Sequence, residues 1–238
     1  MKKFLLMMMT VCSLLMANAQ NDIVVDPNAS VRTVEGQFDA IKISGGIDLF
    51  LSQSENIAIA VSAVSENFKD GIKTVIEDGT LRIFYKGETG WNKKKSKLRV
   101  YVSFKDIQKI EASGACDVVV AGTINTAALY MVMSGACDFT GKLKADVLKL
   151  NLSGASDVKL SGTAGTVVIE STGASDVKAY GLVTEICKVK ASGASDVFIT
   201  VNSELHAAAS GASDISYKGN PQIKEQQSSG ASSIINKN

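Results

Sequence analysis

The second half of the chain alternates. Leu148-Lys149-Leu150-Asn151-Leu152 places an apolar residue at every second position, and Val158-Lys159-Leu160, Val177-Lys178-Ala179 and Cys187-Lys188-Val189-Lys190-Ala191 repeat the pattern. Successive side chains of an extended strand point to opposite faces, so a period of two predicts strands with one buried face. No window of helical period competes with it. A pentapeptide recurs between the alternating runs. It reads S-G-A-C-D at 113–117 and 134–138, S-G-A-S-D at 153–157, T-G-A-S-D at 172–176, S-G-A-S-D at 192–196 and 210–214, and S-G-A-S-S at 229–233. The intervals between its glycines are 21, 19, 19, 20, 18 and 19 residues. A fixed period near twenty indicates a stacked array, a solenoid. Each repeat is then a strand, a corner, a second strand and a short polar loop.

Two short strands cannot bury an apolar face alone. Stacking coils at the strand spacing of about 4.8 Å pairs each backbone with the coil above and below and lines up the inward Leu, Val, Ile and Ala as columns. Gly in the corner supplies a backbone conformation that other residues resist, and the Asp is expected to accept backbone N–H groups at the turn.

The first half is also β but less regular. Residues 38–51 contain a relaxed corner, Ser44-Gly45-Gly46-Ile47-Asp48, between two alternating runs. Ile57 to Val61, Thr80 to Tyr85 after the Asp78-Gly79 turn signal, and Leu98 to Val102 also read as strands. They predict wider coils, or a sandwich-like cap, continuous with the solenoid. The expected division is an export signal at 1–19, a lead-in at 20–37, an N-terminal β region at 38–110 and the repeat solenoid at 111–238.

The first residues change the cellular picture. Lys2 and Lys3, an apolar run over 4–16 and Ala17-Asn18-Ala19 form a secretory signal peptide, with cleavage expected before Gln20. No other stretch is long and apolar enough for a membrane-spanning helix, so no transmembrane segment is expected in the mature chain. Without Lys2 and Lys3 the 25 basic residues become 23 against 24 acidic ones. That balance carries no general positive field and argues against nucleic acid as a partner. With 20 Gly and only 6% aromatic residues, the coil is narrow and rich in tight turns.

Candidate chemistry is sparse. Cys116, Cys137 and Cys187 remain after export, an odd count that forms no complete disulfide framework. Cys116 and Cys137 stand in equivalent positions of adjacent coils, close enough for a disulfide, and are expected to substitute for the motif Ser. Whether they join is left open. His206, the single histidine, falls on the outward phase, and no triad or metal spacing forms around it. No catalytic, cofactor-binding or metal-ligating residue is assigned. Asp117, Asp138, Asp157, Asp176, Asp196 and Asp214 share one motif position and form a turn ladder. At about 4.8 Å apart, like charges cost roughly 1 kcal/mol per pair even in bulk water, so backbone N–H groups, hydroxyls, Lys159 and Lys178, or bound cations must offset them. Trp91, Lys93, Lys94, Lys95 and Lys97 sit in a polar loop between strands. They read either as a contact for an anionic glycan or headgroup, or as a solvated tip.

The F-x-x-I-x-I-S-G-x-I-D segment at 38–48, the Gly79-Thr80-Leu81-Arg82-Ile83 strand and the serial S-G-A-S-D corners resemble the family described as "putative auto-transporter adhesin, head GIN domain". The likeness covers 38–233. It implies a right-handed parallel β-helix-like solenoid in an exported protein of a Gram-negative bacterium, located in the periplasm, on the outer-membrane surface or outside the cell. The chain ends at Asn238 directly after the last repeat, so a self-translocating barrel is not expected. The resulting expectation is a non-enzymatic, adhesin-like interaction module without cofactors. Its expected partners are a polysaccharide, another cell-envelope protein or a second copy. The alternatives are a polysaccharide-active β-helix enzyme and a structural spacer.

Overall fold

The computed structural model describes residues 26–87 and 97–238. The expected export signal, and Trp91, Lys93, Lys94 and Lys95, lie outside the described residues. The N-terminal elements are β1 (Ser30–Arg32), β2 (Ala40–Ser44), β3 (Asp48–Gln53), β4 (Ala58–Ser62), α1 (Glu66–Gly71), β5 (Ile72–Glu77), β6 (Thr80–Tyr85), β7 (Arg99–Phe104) and β8 (Lys109–Gly114). The repeat region supplies β9 (Asp117–Gly135), β10 (Asp138–Leu152), β11 (Asp157–Ser171), β12 (Asp176–Ala191) and β13 (Asp196–Gly211), then β14 (Asp214–Lys218), β15 (Gln222–Gly230) and β16 (Ser233–Asn236). All of them join one sheet. The single described helix is six residues long and cannot cross a membrane.

The repeats stack as parallel coils in register. Asp138 pairs with Asp117 on one side and Asp157 on the other, and Leu150 pairs with Met131 and Ile169. Each of β9 to β13 runs through most of a coil, so the polar loop expected in each repeat is reduced to a bend within the ladder. Glycine marks both places where the chain turns. At the corner, Gly154 has φ +84°, and a Cβ there would lie 2.4 Å from the carbonyl oxygen of Gly135 in the coil above. Both the left-handed conformation and the close backbone approach exclude a side chain.

The alternation places the core as expected. Leu129, Leu148, Val167, Cys187 and Leu205 form one buried column, and Met131, Leu150, Ile169, Val189 and Ala207 form the next. A third runs Met133, Leu152, Ser171, Ala191 and Ala209. Side chains in the second and third columns shrink toward the C-terminal end. In the final coil Gln226 and Ser228 occupy those positions, and every residue of β15 is exposed.

The N-terminal region is built out of sequence order. β2 lies between β6 and β8, and β3 lies between β7 and β9, all parallel. The β2–β3 coil is therefore sandwiched between a β6–β7 coil and the β8–β9 coil. After β3 the chain leaves the stack and forms β4, α1 and β5. It returns through β6 and β7 as the outermost coil, then steps past β2 to begin the regular repeats. β5 pairs antiparallel with β6, β4 with β7, and β1 with β4. These antiparallel strands close the N-terminal end, as the cap expected from the sequence does.

Candidate interaction faces and the corner ridge

The corner motif divides its labour by position. The fourth residue points inward and is buried in Cys116, Cys137, Ser156, Ser175, Ser195 and Ser213. Ile47 and Leu98 continue that column into the irregular coils, where the Asp48 N–H donates to the Leu98 carbonyl as the Asp138 N–H donates to that of Cys116. The hydroxyls form a ladder. The N–H of Cys137 donates to Ser156 Oγ (3.4 Å), that of Ser156 to Ser175 Oγ (3.3 Å), that of Ser175 to Ser195 Oγ (3.4 Å) and that of Ser195 to Ser213 Oγ (3.3 Å). Ser156, Ser195 and Cys116 in turn donate to the carbonyl three residues back, as Ser195 Oγ does to Ser192 at 3.1 Å and Cys116 Sγ to Ser113 at 3.1 Å, and Ser175 Oγ donates to the Gly154 carbonyl of the neighbouring coil at 3.4 Å. The motif thus needs a small donor–acceptor at this position, and Ser and Cys both qualify.

Cys116, Cys137 and Cys187 are free thiols. The first two replace serine in the ladder, as expected. The interaction between these two neighbouring thiols holds Cys116 below the ordinary thiol range and, with burial, pushes Cys137 above it. Cys187 sits in an apolar column, where burial pushes its thiol up to about 12.

The fifth residue points outward. Asp117, Asp138 and Asp214 are exposed, and Asp157, Asp176 and Asp196 are half-buried. Lys178 bridges two of them, lying 3.1 Å from Asp157 and 3.4 Å from Asp176. Asp214 Oδ1 accepts the backbone N–H of Ser233 at 3.1 Å and the Ser233 hydroxyl at 2.6 Å. Asp48 extends the ridge by one coil. Burial, and then the neighbouring Asp117 carboxylate, raise its carboxyl above the ordinary range, against the pull of Arg99. Among the described residues, no group of three or more His, Cys, Asp or Glu side chains is arranged to hold a metal.

Two broad faces flank this ridge. On the face that follows the corner, the outward residues align as Tyr101, Phe50, Val119, Thr140, Lys159, Lys178 and Phe198. Tyr101 and Phe50 stack with centroids 5.0 Å apart. Lower on this face lies an open depression of about 440 Å³ lined by Lys142, Lys159, Lys178, Tyr180 and Phe198 over Leu160 and the backbone of Gly141. Tyr180 and Phe198 meet edge to face at 5.5 Å, and the Lys218 ammonium lies 4.9 Å from the Tyr180 ring centroid. The face that precedes the corner is charged and locally paired. Glu111 takes both Lys109 and Lys42, which hold its carboxyl low. His206, half-buried on this face, lies 2.7 Å from Glu204 and 3.8 Å from Glu225 of the last coil.

Lys97 is exposed with φ +43° and directly precedes the buried Leu98. Leu98, just before β7, takes the place that the fourth corner residue fills in the regular coils. Tyr180 and Phe198 were not singled out in the sequence. Phe198 is masked by its buried neighbours Val197 and Ile199, and Tyr180 stands at a register shift between β11 and β12 that the alternation does not announce.

Comparison with solved structures finds the same fold in several bacterial proteins. A "putative adhesin" of Bacteroides fragilis superposes with a TM-score of 0.80 at 22% identity, covering 87% of this chain and 95% of its own. "Putative adhesin" structures from Parabacteroides distasonis and Parabacteroides merdae follow with TM-scores of 0.70 and 0.67 at 18% and 21% identity. The first covers 87% of this chain and 96% of its own, the second 90% and 98%. No curated protein matches the sequence. The matching family model spans residues 37–221, from the first solenoid strand to the penultimate coil, and the chain belongs to that family, described as "Putative auto-transporter adhesin, head GIN domain".

Proposed function

We propose that the chain is an exported, non-enzymatic, adhesin-like interaction module of the cell envelope. It is placed in the periplasm, at the outer-membrane surface or in the medium of a Gram-negative bacterium. The observation that carries the reading is the register of the coils. Outward side chains repeat along straight columns, so the surface is extended and periodic. Such a surface suits a repetitive partner, a polysaccharide or a second copy of the fold. Single contacts are weak, and affinity accumulates as several coils engage together. The basic loop containing Trp91, Lys93, Lys94, Lys95 and Lys97 is a second contact for anionic glycans. The Asp ridge is a structural ladder.

Two measurements test this reading. Fractionation of the native cell should find the processed protein, starting at Gln20, beyond the inner membrane. Beads coated with the purified protein should adhere to cell envelopes, and the quadruple change of Lys93, Lys94, Lys95 and Lys97 to Gln should weaken adhesion and flatten its salt dependence. Turnover of a polysaccharide that is lost when Asp138, Asp157 and Asp176 are changed to Asn would overturn the reading in favour of an enzyme.

A further inference from the structure

We infer that the depression framed by Lys142, Lys159, Lys178, Tyr180 and Phe198 binds a carboxylate-bearing polysaccharide that runs along the solenoid axis. The inference rests on the interaction-module reading and names a site and a ligand class for it.

Charge is the first argument. Lys159 and Lys178 pair directly in adjacent coils, about 4.8 Å apart, and Lys142 of the preceding coil stands two residues further along its strand, facing Ser161. Among the described residues, Lys142 and Lys159 form no ion pair, whereas Lys178 is held by Asp157 and Asp176. The face therefore offers two free ammonium groups and a third that is fixed in place. The Asp ridge borders it on one side. Carboxylates of a bound polymer are repelled by Asp138, Asp157 and Asp176 and attracted by the lysines two to four residues further along the strands, which sets the lateral position of the chain.

Aromatic surface is the second. Tyr180 and Phe198 line the lower part of the depression, in a chain with few aromatic residues. A sugar ring presents an apolar C–H face that packs on such rings while its hydroxyls and carboxylate reach the lysines. Lys218 over Tyr180 restrains that ring before any ligand arrives, which lowers the ordering cost of binding.

Shape is the third. The volume suits a ligand fragment rather than a whole polymer. The outward column continues past it through Thr140 and Val119 to the stacked Phe50 and Tyr101. An extended chain along the axis uses this whole column, and an enclosed small molecule does not.

The test is titration of the exported protein with polygalacturonate, its neutral methyl ester and poly-glutamate, at low and raised salt. Polygalacturonate should bind, more weakly as salt rises. The double variant Lys142→Gln, Lys159→Gln should lower its affinity roughly tenfold with an unchanged melting curve. Tyr180→Ala should weaken binding of both the acid and the ester, and Tyr180→Phe should restore it. Three results would overturn the inference: no binding of polygalacturonate, binding indifferent to the lysine and tyrosine variants, or equal affinity for poly-glutamate. None of these decides the bead-adhesion experiment, so the broader reading stands or falls separately.

Discussion

At the scale of single residues, the corner motif separates a buried polar ladder from an exposed acidic one. The ladder explains why Cys in the first two corners and Ser in the later ones serve at the fourth position while the fold stays constant. Ser175→Ala should leave the Ser156 N–H without the hydroxyl it now donates to. Removing a partner from a buried donor costs about 1–3 kcal/mol, and the long contacts here favour the low end. Ser175→Cys should cost less, because Cys137 already serves as a ladder member. Chemical denaturation of the two variants tests the order, and equal losses would refute a hydrogen-bonding role. Asp48 gives a pH signature. Its folded carboxyl is raised above the ordinary range by burial and by Asp117, so the folded state holds its proton more tightly than the unfolded chain. Stability from this group is then greatest at acid pH and is lost as pH rises through the raised value. Asp48→Asn should therefore raise the melting temperature at neutral pH, by about 1–2 °C. The gain should vanish below the ordinary carboxylate range. A loss of stability at neutral pH would show that the attraction of Arg99 outweighs burial.

At the scale of elements, the alternation fixes which face of each strand is wet. Leu150 is fully buried between Met131 and Ile169, whereas Lys149 is exposed. Leu150→Asp should bury an unpaired carboxylate and cost several kcal/mol, and Lys149→Asp should be nearly neutral. Similar thermal shifts for both would overturn the assignment. Much of this architecture is legible in the sequence, because period two and a fixed coil length are local signals. The stacking order of the N-terminal coils is not. Residues 40–53 carry the same corner as the repeats, yet their neighbours in space are β6 and β7 on one side and β8 and β9 on the other. Those pairings depend on where the chain returns after α1 and β5, which no local pattern records. The Asp ridge was legible because it recurs at one motif position. The depression was not, because it combines Tyr180 from a register shift with Phe198 from an unbroken apolar run.

At the scale of the whole molecule, the two ends of the stack are unequal. The N-terminal end is closed by antiparallel β1, β4 and β5, and the C-terminal coil is exposed along all of β15, with only Ile234 of β16 packed against the core. The core thins in the same direction. Going from Ile169 to Ala207 in one column removes three carbons, about 2–3 kcal/mol of burial at about 0.8 kcal/mol per carbon. Because each coil contacts only its neighbours, stability is distributed along the stack and does not average over the molecule. The last coil also has a partner on one side only, and its polar residues at the inward positions gain nothing from stacking. Gln226, Ser228, Lys224 and Glu225 instead keep the open edge solvated and discourage pairing with another strand. Opening should then begin at β15 and β16 and move inward. Native-state hydrogen exchange should show protection rising from β15 through β13 to β10 and β11, with the first opening well below the free energy of global unfolding. Removing residues 222–238 should leave the exchange of β10 and β11 almost unchanged and speed that of residues 204–211 of β13, which become an edge, while residues 196–200 stay covered by β14. Uniform protection from β9 to β15, or collapse of β10 on truncation, would show that the solenoid unfolds as one unit and that the polar coil is part of its stabilising core.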